Sequence, residues 1–133
     1  MNGLRGVCME QKSVLALWDA VDRQDWEKIG DYFCDDATIF WHNTNERFSV
    51  SEFIVVNRSY PGDWRIKVER IEQVGNLVIS VVKVWLLNGD QSFHAISFFE
   101  FEGERIKLLN EYWGDDGEPP QWRINKKIGR KII

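Results

Sequence analysis

A chain of 133 residues, 44% hydrophobic and 29% charged, has the length of one domain and the composition of a globular protein able to bury a core. Its formal charge of −4 gives no basis for a nucleic-acid partner, and no run approaches the roughly 20 apolar residues of a membrane span. With only Cys8 and Cys34 present, and no continuous apolar core of a signal peptide at the start, the expectation is a reduced, cytoplasmic protein.

Val14, Leu15, Leu17, Trp18 and Val21 recur at helical spacing and predict an amphipathic helix from about Met9 to Arg23. Asp25 can cap a second, short helix on which Trp26, Ile29 and Phe33 share a face. After Asp35-Asp36, the run Ala37-Thr38-Ile39-Phe40-Trp41 reads as a strand. Ser49-Val50-Ser51-Glu52 has the spacing of a capping box and starts a third helix, which Tyr60-Pro61-Gly62-Asp63 stops.

From Trp64 the period becomes two. Trp64, Ile66 and Val68 alternate with Arg65, Lys67 and Glu69, and Ile71 breaks parity, which predicts a bulge near Glu69 or Arg70. Three further strands run over 77–86, 92–101 and 105–113, with turns at Asn88-Gly89 and Glu102-Gly103. The middle strands are apolar on both sides: Val78, Val82, Val84 and Leu86 on one, Ile79, Val81 and Trp85 on the other. An antiparallel sheet normally leaves one face wet, so the second face predicts a homodimer through the outer side of the sheet. The basic cluster Arg123, Lys126, Lys127, Arg130 and Lys131 has no aromatic residue after Trp122 to stack a base, and reads as a solvated tail. Cys34 lies beside two acids that would raise its thiol pKa, which makes it structural rather than nucleophilic.

Seven tryptophans and eight phenylalanines exceed what core filling requires. They fit either an aromatic ligand cavity or an aromatic core joined to a dimer interface. Glu111, between Leu109 and Trp113, is a carboxylate set among apolar positions, where it needs a partner or a role. The two histidines, His42 and His94, stand far apart in the chain, so neither a metal site nor a cofactor is expected.

The element order helix, helix, strand, helix and four meandering strands, with the segments Asp25-Trp26-Glu27-Lys28-Ile29-Gly30-Asp31-Tyr32-Phe33-Cys34-Asp35-Asp36-Ala37-Thr38-Ile39 and Gly103-Glu104-Arg105-Ile106-Lys107-Leu108-Leu109-Asn110-Glu111-Tyr112-Trp113, resembles the nuclear transport factor 2-like superfamily and, within it, the SnoaL-like, polyketide-cyclase-type branch. The resemblance covers about Met9 to Trp122. It implies an α+β fold, a cone-shaped, cystatin-like roll whose curved antiparallel sheet wraps a long N-terminal helix around an internal apolar pocket. One such domain would span 1–133, with 1–8 and 124–133 as peripheral tails. Function does not come with this fold, whose members include isomerases, dehydratases, cyclases and non-catalytic pocket proteins. The ketosteroid-isomerase pattern is not matched: Trp41 stands where its base would be, Ser97 at its acid oxyanion donor, and Leu17 near its tyrosine. Scytalone-dehydratase-like chemistry uses several polar groups including histidines, of which this chain has two.

If Gly89 and Gly103 are each the third residue of a hairpin loop, odd residues pair with odd residues across the last three strands. By similarity to the family the odd set is then the inner one. It brings Trp41, Trp85, Phe93, Ser97, Leu109 and Trp113 to the pocket as ligand-binding candidates, with Trp18 from the helix. Lys83, Phe93 and Glu111 would share a row, with Lys83 and Glu111 roughly 10 Å apart at the backbone; a two-residue loop would slip the register and turn His94 inward in place of Ser97. Glu111 then has three readings: a buried carboxylate paired with Lys83 or an arginine, a ligand-orienting or acid/base group, or a residue exposed at a strand end. Two main functions follow. One is a pocket protein for a small apolar or aromatic molecule. The other is an isomerase, cyclase or dehydratase in which Glu111 moves a proton while Lys83 or His42 stabilises developing charge. An interaction domain acting through the sheet face is a third.

Overall fold

The computed structural model describes residues 8–133; the expectation of a peripheral tail over 1–8 lies, apart from Cys8, outside the described residues. Helix α1 (Met9–Asp22) buries Val14, Leu17, Trp18 and Val21 of the expected stripe together with Ala20, while Leu15 is 39% exposed. Left-handed Gln24 (φ 59°) ends it, and the Asp25 N–H returns to the Ala20 carbonyl at 2.8 Å. In α2 (Trp26–Ile29), Asp25 occupies the N-cap position without a side-chain cap bond, while Ile29 and Phe33 are each 1% exposed.

Strand β1 (Phe33–Trp41) starts earlier than its apolar run, and a three-residue strand β2 (Glu46–Phe48) pairs back on it after left-handed Asn45. No sequence pattern announces β2, which is an edge strand with one half-buried residue. The predicted capping box is complete at α3 (Val50–Arg58): the Glu52 N–H donates to Ser49 Oγ at 3.2 Å, and the Ser49 N–H to Glu52 Oε1 at 2.9 Å. Strands β3 (Trp64–Val74), β4 (Leu77–Leu86), β5 (Ser92–Glu102) and β6 (Arg105–Asp115) form the meander, and the exposed helix α4 (Gln121–Asn125) follows.

All six strands make one sheet in the order β2-β1-β6-β5-β4-β3. The sheet is mixed rather than wholly antiparallel, because β1 lies parallel to β6 and closes the first strand onto the last. Glu69 is the unpaired residue between Val68↔Val82 and Arg70↔Val81, so the predicted bulge is present and returns Ile71 to the side of Val68. Helix α1 packs against β3 and β4 on the concave side, and Trp18 meets Phe99 edge to face at 6.2 Å.

The two last hairpins differ from the expected loops, and this decides which side chains face inward. Between β4 and β5, Leu86 pairs with Gln91, leaving a four-residue loop. Its left-handed residue is Asn88 (φ 63°), and the Leu87 N–H reaches the Asp63 carbonyl at 2.7 Å. Even residues of β4 therefore oppose odd residues of β5, as in Val84↔Phe93 and Lys83↔His94. Between β5 and β6 the loop has two residues, Gly103 (φ 65°) and Glu104, and Lys107 bulges out between Phe101↔Ile106 and Glu100↔Leu108. The bulge restores odd-to-odd pairing, so that Ser97 faces Glu111 and Ala95 faces Trp113.

Candidate functional site

One cross-strand row of the concave face carries the polar part of the site. Trp41, Glu111, Ser97 and Ser80 are successive partners across β1, β6, β5 and β4. The Trp41 indole Nε1 donates to Glu111 Oε1 at 2.9 Å, and Ser97 Oγ donates to Glu111 Oε2 at 2.5 Å. At the far end of the row, Trp18 Nε1 donates to Ser80 Oγ at 3.0 Å, which ties α1 to the sheet floor. Ser80 and Ser97 are fully buried, and Glu111 is 6% exposed.

Above this row lies a cavity of about 310 Å³. Its walls include Trp18, Trp26, Trp41, Trp64, Phe93 and Trp113, with Glu111 among them. Trp41 and Trp113 meet edge to face at 5.4 Å, and Trp64 tilts against Phe93 at 5.7 Å. The last turn of α3 and the segment after it form another wall with Asn57, Arg58 and Tyr60, and Asp115 and Gln24 add polar groups.

Burial pushes the Glu111 carboxyl above its ordinary value of 4.5, and the bonds from Ser97 and Trp41 offset only part of that rise. Among the described residues no cation acts on it. A buried carboxylate paired with Lys83 is thus excluded, because Lys83 lies opposite Lys67 and His94 and sits with Lys67, Glu69 and Trp85 at a hollow on the other side of the sheet. Lys83 and Trp85, expected in the pocket, are both on the outer face. The reason is the one extra loop residue before Gln91, which inverts the parity of β4 relative to β5.

His42 is also outside the cavity. It is exposed, stacks on Tyr112 with ring centroids 4.4 Å apart, and its Nε2 lies 2.7 Å from Asn110 Oδ1. His94 faces outward between Glu69 (3.0 Å) and Asp116 (2.6 Å). Of the remaining candidates, Trp18, Trp41, Phe93 and Trp113 line the cavity and Ser97 holds Glu111; Leu109 is fully buried core and does not line it. Sequence reasoning missed Trp26, Trp64 and Ser80. Ser80 is the lone polar residue in the alternation Val78-Ser80-Val82-Val84, a signal that becomes readable once even residues of β4 are known to face inward. Among the described residues, no group of three or more His, Cys, Asp or Glu side chains is placed to hold a metal.

Comparison with known proteins agrees with this geometry. Residues 14–109 match the SnoaL-like domain family. No curated protein matches the chain. A candidate ketosteroid isomerase from Kribbella flavida is similar over 94% of this chain and 90% of its own, at 21% identity and a TM-score of 0.80. An NTF-2 like protein of unknown function from Burkholderia xenovorans is 23% identical over 98% of this chain and 100% of its own, with a TM-score of 0.79. A candidate SnoaL-like polyketide cyclase from Shewanella putrefaciens is 14% identical, covering 84% and 83% of the two chains with a TM-score of 0.71. At these identities the likeness speaks for the fold alone.

Proposed function

We propose, of a chain that belongs to the SnoaL-like domain family, that its role is to bind a small, largely apolar or aromatic molecule whose polar group meets Glu111. The observation that carries this reading is a carboxyl 6% exposed, without a cationic partner, at the wall of a tryptophan-lined cavity of about 310 Å³. A purely structural carboxylate would be expected to have a fixed counter-charge, and an aromatic core without a ligand would be expected to close the space. Binding is read from tryptophan fluorescence during titration with flat two- and three-ring compounds bearing a hydroxyl or carbonyl group. Saturable, single-site quenching is expected; a panel that leaves the emission of all seven tryptophans unchanged would count against the pocket.

A second reading, proton transfer of the isomerase, cyclase or dehydratase kind, is favoured by the raised Glu111 pKa, since burial makes the carboxylate a stronger base than an exposed one. It is weakened by position. Lys83 and His42, the groups that would have stabilised developing charge, lie away from the cavity, and the Trp41 and Ser97 donors are already committed to Glu111. Binding is therefore placed ahead of catalysis. A cytoplasmic setting is consistent with Cys8 and Cys34, both unpaired, and with the fact that no described helix is long and apolar enough to cross a membrane.

A further inference from the structure

Every protein group that touches the Glu111 carboxyl is a donor. Trp41 Nε1 serves one oxygen and Ser97 Oγ the other, an arrangement complementary to the ionised form. Yet among the described residues no fixed positive charge acts on that carboxyl. Around it the walls carry the indoles of Trp18, Trp26, Trp41, Trp64 and Trp113 and the phenyl ring of Phe93 among aliphatic side chains; the π-face of such a ring attracts cations and disfavours anions. The other titratable groups that line the cavity are Arg58, Tyr60 and Asp115, all exposed, so the single basic lining residue stays in contact with water. An anionic ligand would meet Glu111 with like charge. A neutral hydrocarbon would deepen its desolvation. A ligand cation would meet the carboxylate and the rings together.

Resting on the pocket reading above, we infer that the ligand carries an ammonium group, tertiary or quaternary, seated among the tryptophans with Glu111 as its counter-ion. The apolar remainder of the molecule fills the space toward Trp64 and Phe93, and Asn57 and Arg58 sit at the solvent-facing wall. Binding would pull the Glu111 pKa back down, because the ligand supplies the opposite charge that the fold omits.

The test compares benzyltrimethylammonium with neopentylbenzene, its neutral carbon isostere, by calorimetry and tryptophan fluorescence on the full chain. The expected result is a preference of about tenfold or more for the cation. The quaternary probe does not titrate, so its affinity should rise with pH as Glu111 ionises. Glu111→Gln should abolish the preference while leaving binding of the neutral probe in place. Equal affinity for the two probes in the parent protein, a measurement that needs no variant to fold, would overturn the cation assignment and leave the pocket reading standing. So would a preference that survives Glu111→Gln. Failure of both probes to bind would count against both readings.

Discussion

Glu111 is held by two neutral donors and no cation, which sets the sign of its effect on stability. Its folded-state pKa lies above the ordinary 4.5, so between those two values the folded chain binds more protons than the unfolded one. Stability contributed by this group is full below about pH 4.5 and declines as pH rises through the raised folded value. Glu111→Gln keeps an acceptor for Trp41 and removes the titration. The variant should lie within about 1 kcal/mol of the parent near pH 4 and gain on it toward pH 7, as read from urea unfolding at each pH. A loss of roughly 3 to 5 kcal/mol at neutral pH would instead mean that the substitution strands a buried cation, contrary to the observed surroundings. Ser97→Ala acts in the opposite direction. It removes one of the two donors and should cost about 1 to 3 kcal/mol at neutral pH, with a smaller loss in acid.

Asp22 fastens one element to another. At the C-terminal end of α1 it accepts Arg65 Nε at 2.9 Å and Arg65 Nη2 at 3.0 Å, and its Oδ1 also takes the Ile66 N–H of β3 at 2.8 Å. The Arg65 hydrogen bonds hold its carboxyl below the ordinary 3.8. Its contribution is therefore present above that value and lost as pH falls through the lowered one. Arg65 is largely solvated, so most of the cost of Asp22→Ala comes from the backbone N–H left without its acceptor. A loss of about 1 to 3 kcal/mol by thermal or urea unfolding is expected, and Asp22→Asn, which keeps an acceptor for Ile66, should lose less. Because α1 carries Trp18 and β3 carries Trp64, loosening this clamp should also weaken binding of an aromatic probe, although Asp22 does not line the cavity.

Across the whole molecule, the outer face of the sheet exposes a contiguous apolar patch. Ile96 and Tyr112 are 42% and 43% exposed, with Ile79, Val81 and Phe98 half-buried beside them. At its margins His94 lies between Glu69 and Asp116, and Lys107 pairs with Asp36. An apolar sheet face of this kind fits a second copy of the same surface. Sedimentation at micromolar concentration should report twice the chain mass, and Ile96→Lys should yield a monomer with the Glu111 cavity unchanged. A monomeric parent would overturn the dimer. Among the described residues, the segment after α4 is exposed and lies at the periphery.

The sequence by itself determined whatever rests on local periodicity and local chemistry. Helix α1 follows from the spacing of Val14, Leu17, Trp18 and Val21, α3 from the Ser49–Glu52 box, and the Glu69 bulge from the parity break at Ile71. The inward set on β5 and β6, including Ser97, Glu111 and Trp113, falls as expected although its loop is one residue shorter than expected, because the Lys107 bulge, which no sequence pattern announces, restores odd-to-odd pairing. Only the tertiary structure decided the side on which Lys83 and Trp85 fall. That choice depends on a single extra loop residue, and the loop is drawn out by a bond from Leu87 to Asp63, an element 24 positions earlier in the chain. It also decided that β1 lies beside β6, which places the Trp41 indole on the Glu111 carboxyl. Hydrophobic period two names the two faces of a strand; which face turns inward is set by pairings between distant segments, and so appears only when the sheet closes.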